Sequence, residues 1–259
     1  MESAGLASSK LKSPQFEPTK LESTKLESPK LKSSTLEWKI MSFSSAFDDQ
    51  PDEHERWNQK YREAPAAWLE PDPFLAAAFS EYILPLFPQA GNALDLAGGA
   101  GRHAIWLARQ GWEVTLIDIS ETGVEQARQN AGPLASHIHV VVDDLTHFKA
   151  AQTDFETDLE TRFEVVLVFF YLGREIFSEI VKAVRPGGLL IYKTYTRAQA
   201  ERPRGPKDPA HLLEAGELLQ LANGLKILHY REEVAEKATA ELIAMKDPSS
   251  TLQPAQLRI

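Results

Sequence analysis

The chain has 259 residues, of which 43% are hydrophobic and 25% charged, so it can form a globular core without stabilising cross-links. It contains no cysteine, which excludes disulfide frameworks, thiolate metal sites and cysteine nucleophiles. The net charge of −9 gives no overall bias toward nucleic acid, and no membrane-length apolar run or signal-peptide pattern is present. We therefore expect a cytoplasmic protein with no nucleic-acid or membrane partner.

Residues 1–40 differ in composition from the rest of the chain. Leu-Lys-Ser and Leu-Glu-Ser recur there among Lys, Pro and Thr, without the period of a helix or a strand. Such a segment cannot bury enough apolar surface to offset its chain entropy, so a disordered low-complexity tail is predicted. Because Met41 follows the tail directly, a translation start at Met41 is an alternative to a start at Met1.

Residues 41–88 are predicted to form an N-terminal helical cap. Helical patterns cover residues 53–68 and 73–87, and the intervening Glu-Pro-Asp-Pro ends the first helix and starts the second.

Residues 89–246 alternate between strand and helix patterns with short links. Apolar strand patterns cover residues 93–97, 113–117, 138–142, 163–169, 189–195, 225–230 and 238–245. Helical patterns lie between them, near 104–108, after Ser120 or Thr122, and over 175–184 and 211–222. This alternation predicts an α/β fold with a doubly wound, mostly parallel sheet, whose last two strands form an antiparallel pair at the edge. Residues 247–259 are then a flexible C-terminal tail.

The first strand runs into a turn with three glycines, Gly98, Gly99 and Gly101, and then into a helix that begins at Arg102. Glycines permit close approach of the backbone, and the N-terminus of a helix presents free N–H groups to an anionic ligand group. Asp118 ends the neighbouring strand, where a carboxylate can accept hydrogen bonds from both hydroxyls of a ribose. A nucleoside ligand is therefore expected.

Two cofactors fit this geometry. The segment from Gly99 to Ala104 matches the dinucleotide fingerprint G-x-G-x-x-G/A, which favours NAD. Asp95, inside the first strand, favours a ligand with a positively charged amino-acid group over one with a pyrophosphate. An NAD-dependent oxidoreductase is kept as the alternative, but it is disfavoured because no second domain with a Tyr-x-x-x-Lys or His-Asp hydride-transfer site follows.

The run from Asp95 to Gly101 resembles the first motif, acidic-x-Gly-x-Gly-x-Gly, of class I S-adenosylmethionine-dependent methyltransferases, with Ala97 in place of the first glycine. The resemblance implies S-adenosyl-L-methionine as cofactor and a Rossmann-like, seven-stranded sheet. It also implies that Asp118 binds the ribose and that Asp144 with Leu145 reads the adenine, although Asp143 is one residue away. Further segments, around Trp57, Gly101 and Phe169, are similar to the small-molecule branch near the tellurite-resistance and thiopurine methyltransferases.

Several residues are predicted to contact this cofactor. They are Trp57, Asp95, Gly99, Gly101, Arg102, Asp118, Asp144 and Leu145. Arg102 is placed to meet the methionine carboxylate. Trp57 and Tyr61 lie four residues apart on one helix face, where their rings either cover the sulfonium or pack the helix on the sheet.

Tyr171 and Arg174 follow the fourth strand and are the predicted substrate-side, catalytic residues. Arg174 would attract a nucleophile that is already anionic, so that no general base is needed; His103 is either such a base or a buried histidine. We therefore predict methyl transfer to a small-molecule acceptor, with a thiol or chalcogen nucleophile as first candidate. A catalytically inactive S-adenosylmethionine-binding regulator is the other alternative. No metal is expected, because no clustered ligand spacing is present, and the pattern does not indicate an oligomeric state.

Overall fold

A seven-stranded sheet forms the centre of the computed structural model, which describes residues 52–63, 69–150 and 162–250. The strands are β1 (Asn92–Leu96), β2 (Glu113–Asp118), β3 (Ile138–Val142), β4 (Phe163–Phe169), β5 (Val184–Tyr195), β6 (Lys226–Val234) and β7 (Ala238–Met245). Their order is β3-β2-β1-β4-β5-β7-β6, with β1 to β5 parallel and β7 antiparallel to both β5 and β6. The predicted α/β fold, with its antiparallel C-terminal pair, is thereby confirmed.

Seven α-helices lie within the described residues. They are α1 (Glu53–Glu63), α2 (Pro73–Ala78), α3 (Leu84–Leu86), α4 (Arg102–Arg109), α5 (Glu121–Ala131), α6 (Phe177–Ala183) and α7 (Glu217–Leu221), and a π-helical turn (Phe79–Ile83) joins α2 to α3. The helix starts follow local chemistry. Asp72 caps α2 by accepting a hydrogen bond from the N–H of Phe74, with Pro73 at the first helical position. Of the two caps that the sequence offers for α5, Ser120 is used, since its hydroxyl accepts the N–H of Gly123.

The central strands are buried on both faces, which explains their continuous apolar runs. Along β4, Val166 and Val168 face the core beneath α6 and α7, whereas Val165 and Leu167 face the core beneath α2, α4 and α5. Because the strands run in parallel, their carboxyl ends meet at one edge of the sheet. That edge is where open α/β sheets bind ligands.

Three elements differ by more than two residues from their predicted bounds. Strand β5 begins at Val184 instead of residue 189: it advances five residues between its pairings with Phe163 and Val165, so the extra residues form a bulge. The helix expected over 211–222 is reduced to α7, because the backbone of Leu213 bonds to that of Tyr195 and Arg197. Finally, β6 continues to Val234, since its pairing with β7 runs on to Ala238.

Several predicted segments lie outside the described residues. They are the tail over 1–40, the start of the helical cap over 41–51, the end of the first predicted helix at 64–68 and the last part of the C-terminal tail, 251–259. The domain boundaries at residues 88 and 246 therefore stay predictions. In the part of the chain that is described, no helix is both long and apolar enough to cross a membrane.

Candidate active site

A cavity of about 440 Å³ opens at the carboxyl edge of β1, β2 and β4. Six of the residues predicted from the sequence line it: Trp57, Arg102, Asp118, Asp144, Leu145 and Tyr171. One face of α1, carrying residues 53, 57, 60 and 61, forms the opposite wall. Residues that are far apart in the sequence are thus brought together around one space.

Asp118 links the glycine-rich turn to the end of β2. One carboxylate oxygen accepts the N–H of Gly99 and the other accepts the N–H of Ser120, both at 2.8 Å. Burial raises the pKa of Asp118 above its ordinary value, and these two N–H groups oppose the rise. Each oxygen keeps a further lone pair, so the carboxylate can still accept hydrogen bonds from a ligand.

Asp95 is a buried carboxylate that makes no ion pair with the described residues. It is 1% exposed, and neither oxygen has a hydrogen-bond partner among the described residues. Burial raises its pKa to about 7, and the Arg102 cation and the amide of Ala104, which lies near the carboxylate but outside hydrogen-bond geometry, only partly oppose this. A Cβ placed on Gly98, which lines the cavity, would lie 2.9 Å from Oδ2 of Asp95. Asp95 itself is not among the described lining residues, so its carboxylate lies one layer beneath the cavity wall, behind Gly98.

The turn between β1 and α4 has left-handed backbone at three positions. Gly99 and Gly101 have φ of 54° and 81°, and Ala97, where the motif has its first glycine, has φ of 55°. Glycine tolerates this region freely, whereas alanine is strained there. A side chain on Gly99 would strike Tyr61, and one on Gly101 would lie 2.8 Å from Cβ of Ala127. Both glycines are thus required by packing of protein atoms.

Helix α1 is fixed over the turn by hydrogen bonds that the sequence does not reveal. The buried Asn58 accepts from the hydroxyl of Ser120 at 2.7 Å and from the N–H of Thr122 at 3.0 Å. Gln126 donates to the carbonyl of Tyr61 at 3.0 Å. The ring of Tyr61 consequently packs on Gly99 while also lining the cavity, so the two interpretations of this helix face are not exclusive.

The adenine-side candidates lie after β3. Asp144 caps a 3-10 turn (Leu145–His147) by accepting the N–H of Thr146 at 2.9 Å. Asp144 and Leu145 both line the cavity, whereas Asp143 is not among its described lining residues.

Aromatic rings form the wall that follows β4. Phe169, Phe170 and Tyr171 line the cavity together with Tyr195 at the end of β5. Phe170 has φ of 60°, an unusual value for a bulky residue, and its N–H donates to the carbonyl of Lys193 at 2.7 Å. Backbone strain of this kind is often found at functional sites.

His103 lines the cavity as a neutral ring. Its Nε2 accepts the N–H of Asp72 at 3.3 Å, so its hydrogen lies on Nδ1. Burial, aided by the Arg102 cation, lowers the pKa of His103 to about 3. The ring therefore has no free acceptor nitrogen near neutral pH.

A buried ion-pair network, not visible in the sequence, lies beside His103. Lys193 is bonded to Asp72 at 2.8 Å and to Glu241 at 3.0 Å, and all three side chains are largely buried. The network joins α2 to β5 and β7, so it fixes the wall that carries Phe170.

Arg174 is not brought to this cavity among the described lining residues. Its guanidinium bonds both carboxylate oxygens of Glu217 and the carbonyls of Ala210 and Leu212. These contacts join the segment after β4 to the start of α7 and hold the pKa of Glu217 below its ordinary value. A structural role accounts for the contacts that Arg174 makes with the described residues, so its predicted substrate role is not carried forward. Tyr171, its predicted partner, does line the cavity.

Comparison with known proteins adds a family match. Residues 93–188 match a family described as a methyltransferase domain. Over 175 residues the chain is 27% identical to tRNA 5-carboxymethoxyuridine methyltransferase of Escherichia coli (strain K12). That match covers 55% of this chain and 65% of the relative, which is less than two thirds of the relative's length.

Solved structures share the fold. One comes from a study of the conversion of a disulfide bond into a thioacetal group during echinomycin biosynthesis, with a TM-score of 0.58, 22% identity, and 76% of this chain and 93% of that chain covered. Another is the N-methyltransferase NodS from Bradyrhizobium japonicum WM9 in complex with S-adenosyl-L-homocysteine, with a TM-score of 0.54, 18% identity, and 74% and 97% covered. The family match itself spans β1 to the first part of β5, which includes the glycine-rich turn and Asp118.

The unpaired charge of Asp95 predicts a pH-dependent stability. Because folding raises its pKa from 3.8 to about 7, the folded state binds this proton more tightly than the unfolded chain does. The contribution of Asp95 to stability therefore falls as the pH rises from about 4 to about 7 and is constant above that. We expect the unfolding free energy of the wild type, relative to Asp95→Asn, to fall by at least about 1 kcal/mol across this range. Urea unfolding at several pH values measures it, and a constant difference would contradict the buried charge.

Replacing Arg174 separates its structural role from a role in substrate binding. We expect Arg174→Met to lower the free energy of unfolding by about 1–2 kcal/mol, because Glu217 and two carbonyls lose their partner. Arg128→Met is the control, since Arg128 makes only an exposed pair with Glu125 at 3.6 Å and should change stability by less than about 0.5 kcal/mol. Unchanged stability of Arg174→Met, combined with weaker acceptor binding, would restore the substrate role.

Proposed function

We propose that this chain, whose residues 93–188 match a methyltransferase domain and whose motifs resemble those of class I S-adenosylmethionine-dependent methyltransferases, transfers the methyl group of this cofactor to a small-molecule acceptor. The observation that carries the proposal is the orphaned carboxylate of Asp95 beneath Gly98. A buried charge without a partner is costly, and an ammonium group of a ligand would relieve that cost. The amino-acid part of S-adenosylmethionine offers such a group, whereas NAD does not.

The other residues of the cavity fit the remaining parts of the cofactor. Asp118 would accept hydrogen bonds from the ribose hydroxyls, and Asp144 with Leu145 would bind the adenine. Arg102, at the N-terminus of α4, would pair with the carboxylate of the methionine part. Bound in this way, S-adenosylmethionine supplies an electrophilic methyl group on a sulfonium.

The chain itself contributes alignment and exclusion of water. Trp57 and Tyr61 on α1 and the aromatic wall after β4 enclose the reacting centre, which strengthens its electrostatic interactions. His103 offers no free acceptor nitrogen near neutral pH, so it is not suited to remove a proton from the acceptor. These features favour a nucleophile that is already anionic, such as a thiolate or a chalcogen anion.

A tRNA acceptor is the second candidate. It is favoured by the similarity to the Escherichia coli relative, which is named for a tRNA nucleoside. Against it stands the net charge of −9, which gives no overall attraction to the phosphates of a nucleic acid. A catalytically inactive, cofactor-binding regulator would have the same site without turnover.

Transfer of labelled methyl groups tests the proposal directly. The protein is incubated with methyl-labelled S-adenosylmethionine and either a tRNA-free metabolite extract or purified tRNA. We expect label in the small-molecule fraction and none in tRNA. Label in tRNA would show that the acceptor is tRNA and not a small molecule. Binding of the cofactor without any methyl transfer would favour the inactive regulator.

The ribose-binding role of Asp118 is tested with S-adenosyl-L-homocysteine and calorimetry. We expect Asp118→Asn to weaken binding about tenfold, because it removes charge-assisted hydrogen bonds to the ligand. Asp143→Asn is the matched control, since Asp143 is outside the described cavity lining and should leave the affinity unchanged. Circular dichroism verifies that both variants fold. Equal affinities of the two folded variants would remove Asp118 from this role.

A further inference from the structure

Three cations surround the ring of Phe170. Nζ of Lys237 lies 4.7 Å from the ring centroid, Nζ of Lys193 lies 6.0 Å from it, and Cζ of Arg102 lies 5.8 Å from it. Tyr195 packs against the same ring at a centroid distance of 5.0 Å. Cations are attracted to the face of an aromatic ring, but three of them in one place also repel each other.

The three cations differ in how far their charges are compensated. Lys193 is paired with both Asp72 and Glu241, and Arg102 approaches Asp72 at 3.9 Å. Lys237 makes no ion pair with any described carboxylate, and its ammonium group lies over the ring of Phe170. Lys237 is therefore the cation at this wall whose charge is available to a ligand.

The position of Lys237 is fixed by its backbone. It lies in the short connection between β6 and β7, where its carbonyl accepts the N–H of Ala235 at 3.0 Å. The next residue, Ala238, donates to the buried side chain of Gln199 at 2.8 Å and accepts the N–H of Thr196 at 3.0 Å. This hairpin end is thus attached to the chain that follows β5, which keeps Lys237 beside Phe170.

Lys237 borders two cavities, and their charges decide on which side an anion binds. The second cavity, of about 500 Å³, lies beneath α2 and the π-helical turn. It is lined by five acidic residues, Asp72, Glu81, Glu233, Glu236 and Glu241, but only by three lysines and arginines, Lys193, Arg231 and Lys237. An anion is disfavoured there. On the other side, Lys237 faces the cavity with the aromatic wall.

We propose that Lys237 is a specificity-determining residue that binds an anionic group of the methyl acceptor, and that the acceptor is an aromatic organic anion. Phe170, Tyr171 and Tyr195 provide apolar surface for its ring, and the left-handed backbone of Phe170 holds that surface in place. Arg102 would bind the carboxylate of the cofactor, so Lys237 is the cation of this wall that can bind the acceptor. The inference rests on the proposed methyl transfer, since it identifies which side of that site receives the acceptor.

The test uses a simple aromatic anion and its neutral analogue. The full-length protein is saturated with S-adenosyl-L-homocysteine and titrated with benzoate or with benzamide, and binding is followed by tryptophan fluorescence. We expect benzoate to bind at millimolar concentrations and about fivefold more tightly than benzamide. Lys237→Met should abolish this difference and leave the affinity for S-adenosyl-L-homocysteine unchanged.

Lys226→Met is the matched control, because Lys226 is exposed at the opposite end of the β6–β7 pair, next to Met245. It should retain the preference for benzoate. Absence of benzoate binding, equal binding of benzamide, or a preference that survives in Lys237→Met would overturn the proposal, and so would weaker binding of S-adenosyl-L-homocysteine in that variant.

Failure of the proposed function is recognised separately. If S-adenosyl-L-homocysteine does not bind the wild type, methyl transfer is excluded, and the titrations on the free protein still decide whether Lys237 binds an aromatic anion.

Discussion

The buried charge of Asp95 is the constraint on which the rest of the site depends. Its carboxylate lies inside the central strand β1, with no hydrogen-bond partner among the described residues, so ionising it costs free energy in the folded protein. The surrounding residues do not remove that cost. Gly98 lies between the carboxylate and the cavity, and Arg102, which lines the same cavity, approaches Asp72 only to 3.9 Å. A ligand with both an ammonium and a carboxylate group would compensate both charges at once.

Segments that are far apart in the sequence are held together by polar contacts around this centre. Asp118 holds the glycine-rich turn against β2, and Asn58 holds α1 against the start of α5. On the other side, the Lys193 pairs hold α2 to β5 and β7. The strained backbone of Ala97 and Phe170 lies between these anchors, which supports an arrangement formed before a ligand binds.

The sequence predicts most of the sheet and part of the site. The runs at 138–142, 163–169 and 238–245 give strands with the expected bounds. For β4, an inner strand, the reason is that burial on both faces requires apolar residues at almost every position. Asp118 is predictable because it directly follows the apolar run of β2, and the carboxyl ends of parallel strands lie at the ligand-binding edge of the sheet. The helix expected over 211–222 is wrong in extent, because pairing of Leu213 with the end of β5 is a tertiary effect.

The walls of the site depend on contacts between distant residues, which the sequence does not indicate. Arg174 follows β4 in the chain, but Glu217, 43 residues later, binds its guanidinium. Lys237, about 140 residues after the glycine-rich turn, faces the same cavity instead.

The central claim is that the carboxylate of Asp95 binds the ammonium group of the cofactor. The most direct test is the pKa of the Asp95 carboxyl group, measured from the NMR shift of its carboxyl carbon with and without S-adenosyl-L-homocysteine. We expect a pKa of about 7 in the free protein and a fall of more than about one unit in the complex. A pKa that is unchanged or raised by saturating ligand would show that Asp95 does not bind the ammonium group.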